Sequence, residues 1–98
     1  MVIWSPPFDG ADSEWTYFGE GKEVNLNLIQ RVITQHLQSE ELWLDLGRHR
    51  SRQVDQVTLI SEFNALISVD NLVLWDTQFH RVIEFAQLGV LRLGARSA

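Results

Sequence analysis

A chain of 98 residues, 45% hydrophobic and 21% charged, describes one globular domain and excludes both a disordered chain and a pair of independent cores. A formal charge of −5 argues against general binding to nucleic acid, because an acidic surface repels the phosphate backbone. The chain has no Cys, no run near the roughly 18 apolar residues of a membrane span, and no basic-then-apolar leader in Met1 to Pro7, so it reads as a soluble cytoplasmic protein that engages no membrane.

In chain order, Met1 to Trp4 reads as a short strand. Residues 5–13 read as irregular, since Pro6 and Pro7 discourage a helix and Asp9-Gly10 is turn chemistry. Glu14 to Phe18 is aromatic and β-prone, which predicts a strand, and Gly19-Glu20-Gly21-Lys22 predicts a turn. Val24, Leu26 and Leu28 alternate at period two and suggest a short partner strand. Asn27, with Gln30 three residues on, has the form of a capping box. Leu28, Ile29, Val32, Ile33 and Leu37 then recur at helical spacing, which places a first helix over 28–38 with its apolar stripe on a sheet.

Leu42 to Leu46 is a mostly apolar strand ended by Gly47, and Arg48-His49-Arg50-Ser51-Arg52 reads as a basic connection. Val57, Ile60, Phe63 and Ile67, with Leu59 and Leu66, recur at helical spacing and predict a second helix over 55–68 with Asp55 as its cap. Leu72 to Trp75 is the clearest strand. Residues 78–88 fit either a helix ended by Gly89 or a returning strand. The β-branched and aromatic content favours the strand, over 80–85, with Asp76-Thr77-Gln78 as the turn. Val90 to Leu93 adds a last short strand, and 94–98 reads as a flexible tail. The sum is a single α+β domain over 1–98, with two helices on a mainly antiparallel or mixed sheet. Were 78–88 helical, the order would become the alternating βαβ of an α/β fold.

The chain carries no G-x-G-x-x-G, G-K-[ST], G-x-S-x-G or H-E-x-x-H, so no phosphate cradle, nucleophile elbow or zinc-binding helix is announced. His36 and Glu40 stand four apart near the end of the first helix. A zinc site wants three or four protein ligands, and His is also favoured at a helix C-terminus by the dipole. His49 sits among arginines, and His80 could face a pocket. No catalytic residue, metal or cofactor is therefore expected. A small enzyme using His36 or His80 with nearby carboxylates stands as the alternative.

Glu40, Glu41 and Asp45 flank Trp43, and carboxylates so grouped do acid–base work only where their environments split their pKa values. In a strand, Trp43 and Asp45 point to one side, opposite Leu42, Leu44 and Leu46. An aromatic beside an acid on an outward face suits protein recognition. Arg48, Arg50 and Arg52 could hold an anion, but in so acidic a chain they are expected to pair with Glu40, Glu41 or Asp55. Of the four Trp, most are expected in the core and one or two as exposed anchors.

The acids crowd into residues 1–45, where only Lys22 and Arg31 oppose them, so a basic partner would be attracted. The segment from Asn71 to Phe85 resembles the late hairpin of small bacterial toxin-neutralising, or immunity, proteins. There a strand ends in an aromatic and an acid, a short turn follows, and a β-branched and aromatic strand returns. Here it continues as Ala86-Gln87-Leu88-Gly89, without the His-Glu-Asp-like ending of several such proteins. The resemblance implies tight, non-catalytic binding that blocks a toxin. The expected partner surface is Trp15, Glu20, Glu40, Glu41, Trp43 and Asp45, facing a basic protein. A homodimer or homo-oligomeric subunit that buries Trp remains the other reading.

Overall fold

The computed structural model describes residues 2–5, 15–19, 23–46 and 50–96. Two helices pack on one face of a seven-stranded antiparallel sheet, the two-layer α+β arrangement. In chain order these are β1 (Val2–Trp4), β2 (Thr16–Tyr17), α1 (Leu26–Val32) with a π-helical turn (Ile33–Leu37), β3 (Glu41–Asp45), β4 (Ser51–Asp55), α2 (Gln56–Ile67), β5 (Leu72–Asp76), β6 (Arg81–Ala86) and β7 (Val90–Arg96). The sheet runs β1-β7-β6-β5-β3-β4, and β2 also pairs with β7.

β1 and β2 act as two halves of one edge strand. Trp4 stands opposite Gly94, the Ser5 N–H donates to the Leu93 carbonyl at 2.7 Å, and Thr16 stands opposite Leu91. The sequence between the halves, 6–14, lies outside the described residues, as do Glu20 to Lys22 and Gly47 to His49. The irregular segment and the glycine turn expected there are thus not described.

α2 begins where Asp55 accepts a hydrogen bond from the Thr58 N–H at 2.6 Å, as its position before the apolar run predicts. α1 departs from expectation. Its cap is Asn25, which accepts from the Leu28 N–H at 3.0 Å, so the helix starts before Asn27 and no strand forms over 24–28. Three alternating apolar residues do not distinguish a strand from a first helical turn. The segment after Phe79 is the strand β6, paired to β5 with Leu74 opposite Ile83.

Two further expectations are corrected. The arginine-rich connection is in part the strand β4, whose only buried residue is Val54; an edge strand this exposed carries no hydrophobic pattern to read. The tail is in part strand, since Gly94, Ala95 and Arg96 pair with Trp4, Ile3 and Val2. That pairing joins the two ends of the chain and leaves no local trace.

The core lies between helices and sheet. Leu42, Leu44, Leu72, Leu74, Ile83, Phe85 and Leu91 point at Ile29, Val32 and Ile33 of α1 and its π turn, and at Leu59 and Phe63 of α2. Phe18, Phe63 and Phe85 meet edge to face at centroid distances of 5.0–5.7 Å. Each such side chain contributes roughly 1.5–3 kcal/mol through burial.

Candidate functional site

The alternation of side chains that sends the leucines inward sends a different set to the opposite face. Trp43 of β3 stands opposite Trp75 of β5, Trp75 opposite Val82, Val82 opposite Gly94, and Gly94 opposite Trp4. The next row holds Asp45, Val73, Glu84 and Arg92, with Trp15 beside Arg92. All four Trp thus lie on this second face and are half-buried, and no helix among the described residues lies over it. The expectation that most Trp fill the core is overturned. The inward positions of the paired strands are taken by Leu, Ile, Val and Phe, and the helices close down on those.

Arg92 organises one side of the face. Its guanidinium lies 3.6 Å from the Trp4 ring centroid and 4.6 Å from that of Trp15, and Nη2 donates to Glu84 at 3.3 Å. Eleven positions apart in sequence, the two indoles become neighbours because β1 and β2 follow one another along β7. Trp4 can lie flat because Gly94 has no side chain. A Cβ there would come within 2.7 Å of Val2 Cγ1 and 2.8 Å of Trp4 Cε3.

The other side is organised by Phe79, whose ring centroid lies 5.9 Å from both the Trp43 and Trp75 rings. Phe79 adopts a left-handed φ of 58°, which costs a non-glycine residue roughly 1–2 kcal/mol. Asp76 holds the turn around it. Its carbonyl accepts from the Phe79 N–H at 3.0 Å, and its carboxylate accepts from the N–H groups of His80 and Arg81 at 2.7 and 3.1 Å.

Charge divides along the same face. Glu41, Asp45 and Asp55 belong to the β3–β4 side, where Glu41 and Asp55 stand directly opposite one another. Arg92 and Arg96 belong to the β7 side, with Arg96 5.7 Å from the Trp75 ring. The Asp55 carboxyl is held below its ordinary pKa by hydrogen bonds from Thr58, the side chain first and the backbone second.

Of the residues expected to meet a partner, Trp15, Glu41, Trp43 and Asp45 share this face, while Glu40 sits in the bend just before β3 and Glu20 lies outside the described residues. Trp4, Trp75, Phe79 and Arg92 were missed. The signal for Trp75 was available, since it alternates with Leu72 and Leu74 as Trp43 does with Leu42 and Leu44. For Trp4 and Arg92 no local signal existed.

Of the histidines, His49 lies outside the described residues, and neither His36 nor His80 converges on a carboxylate pair among the described residues. His36 Nε2 donates to the Gly94 carbonyl at 2.8 Å, and left-handed Gln38 ends the helical segment before Glu40, so His36 and Glu40 form no ion pair. His80 is exposed. Arg52 pairs with Glu62 of α2 at 3.3 Å rather than with Glu40, Glu41 or Asp55. Among the described residues no group of His, Asp and Glu is large enough to hold a metal, and no helix is long and apolar enough to cross a membrane.

Fold and face together define a class: a two-layer α+β domain that turns an aromatic, charge-divided sheet surface away from its helices. Comparison with protein-family models, curated proteins and solved structures finds no match to this chain.

Proposed function

We propose that this chain is a non-catalytic protein-binding module that docks through the aromatic face of its sheet onto a partner carrying basic side chains. It would act as an immunity-type inhibitor does, by covering the partner's surface. The observation that carries this reading is the placement of all four Trp on the face opposite the helices. Aromatic side chains held on a rigid sheet lose little entropy on binding and dominate interface energetics. Glu41, Asp45 and Asp55 beside Trp43 would steer basic groups to the β3–β4 side. The proposed setting is the bacterial cytoplasm, because a chain without Cys needs no oxidising compartment.

The test starts from affinity capture in the native host, followed by binding kinetics at two salt concentrations. Trp43→Ala is expected to raise the dissociation rate roughly tenfold or more. Glu41→Lys is expected to slow association chiefly at low salt. Salt-independent association, together with an unchanged dissociation rate in Trp43→Ala, would sink the reading.

A further inference from the structure

We propose that two copies of this chain pair edge to edge through β4, extending one continuous sheet across a two-fold axis. This pairing does not depend on docking through the aromatic face; it follows from the hydrogen bonds of the β3–β4 hairpin. The Leu46 N–H donates to the Arg50 carbonyl at 3.1 Å, and the Gln56 N–H to the Glu40 carbonyl at 2.7 Å. Bonded and non-bonded pairs alternate in an antiparallel ladder. Arg52 and Val54 therefore face β3, while the backbone N–H and C=O groups of Ser51, Gln53 and Asp55 point outward from the sheet. Among the described residues β4 is the terminal strand, so these groups form an open edge there.

The opposite edge is built differently. β1 and β2 are very short, which is one way natural sheets block pairing. β4 carries no Pro and no Lys, and its register to β3 runs without a bulge.

A second copy fits this edge in one antiparallel register better than in its neighbours. Centred on Gln53, the pairing sets Gln53 opposite itself and Ser51 opposite Asp55, so every outward residue exchanges both of its backbone bonds. Side-chain direction is kept, and the aromatic faces of the two copies lie on the same side. A register centred on Arg52 would set two arginines opposite each other and leave Asp55 without a strand residue facing it. One centred on Val54 leaves Ser51 unmatched. Charge along the strand agrees. It is basic at its start, with Arg50 and Arg52, and acidic at its end, with Asp55. Antiparallel pairing lays each basic start beside the other's acidic end. The two Trp43 side chains would then stand roughly 14 Å apart on one surface, three strand spacings across.

Sedimentation equilibrium from micromolar to millimolar chain is expected to give twice the monomer mass at the upper end. The chain has no Cys, so Gln53→Cys introduces a single thiol at the two-fold axis. A directly opposed bonded pair has a Cα separation of about 5.5 Å, within disulfide reach. Mild oxidation should link Gln53→Cys into a dimer and leave the exposed control Gln87→Cys largely monomeric. Gln53→Pro removes an outward N–H and no β3–β4 bond, so it should yield a folded monomer. Should that variant fail to fold, Ser51→Asp sets a second carboxylate opposite Asp55 and should dissociate the dimer at low salt, with recovery at high salt. A parent that stays monomeric at every concentration overturns the proposal. So does equal cross-linking at positions 53 and 87, or a dimer that persists in folded Gln53→Pro or in Ser51→Asp at low salt.

Discussion

Replacing Arg92 with alanine withdraws the cation from between Trp4 and Trp15 and leaves Glu84 without its ion-pair partner. Both side chains of that pair are less than a third exposed, so the interaction is weakly screened. We expect Arg92→Ala to lower unfolding free energy by about 1–2 kcal/mol in urea titration, and Glu84→Gln by about half that. Equal stability of Arg92→Ala and parent would mean that the stacked geometry contributes nothing. Asp55 makes a different prediction. Its pKa is depressed in the folded state by the Thr58 hydrogen bonds. The stabilisation is therefore present above the ordinary carboxylate range and is lost as pH falls through that range toward the lower folded value. Asp55→Asn keeps a capping acceptor but cannot titrate, so its melting temperature should fall less steeply than the parent's below about pH 4.

At the scale of elements, the apolar stripe of the first helix was legible, that of the second only in part, and the edges of the sheet were not. Val57, which the spacing placed on the second stripe, is exposed, and Leu59 takes the buried position instead. Phe63 and Ile67 lie one helical turn apart and are both buried, as their spacing requires. Phe63→Ala would open a cavity between Phe18 and Phe85 and should cost about 3–5 kcal/mol, read from denaturant midpoints. Ile33→Asp should prevent folding altogether, because it places an unpaired charge where nothing is exposed. A cooperative melt of Ile33→Asp at the parent temperature would show that α1 packs elsewhere. β4 and the end of β7 escaped the sequence for a shared reason. Ser51 to Asp55 is held by pairing with β3, and Gly94 to Arg96 by pairing with β1, and neither segment has a hydrophobic period of its own.

For the whole molecule, the two faces of one sheet divide the work of folding and the proposed work of binding. Phe85 and Trp75 lie on adjacent hairpin strands but on opposite faces. Phe85→Ala is expected to destabilise the domain by about 3–5 kcal/mol. Trp43→Ala and Trp75→Ala should each cost clearly less and leave far-UV circular dichroism unchanged, since both indoles are already half in water. Should Trp43→Ala unfold the chain as readily as Phe85→Ala, the aromatic face is a second core and not a docking surface.

Composition and periodicity determined by themselves that this is one α+β domain, that Asp55 starts a helix, that 80–85 returns as a strand, and that Trp43 and Asp45 face away from Leu42 and Leu44. All of these rest on interactions within a few residues along the chain, where side-chain spacing and capping chemistry act. Only the tertiary structure decided that Trp4, Trp15, Trp43 and Trp75 meet on one surface, that Arg92 lies between two of them, and that β4 ends the sheet with its backbone open among the described residues. Those outcomes depend on which strand lies beside which. Strand order is set by how helices and sheet together remove apolar surface from water, a property of the assembled layers that no local window of sequence contains.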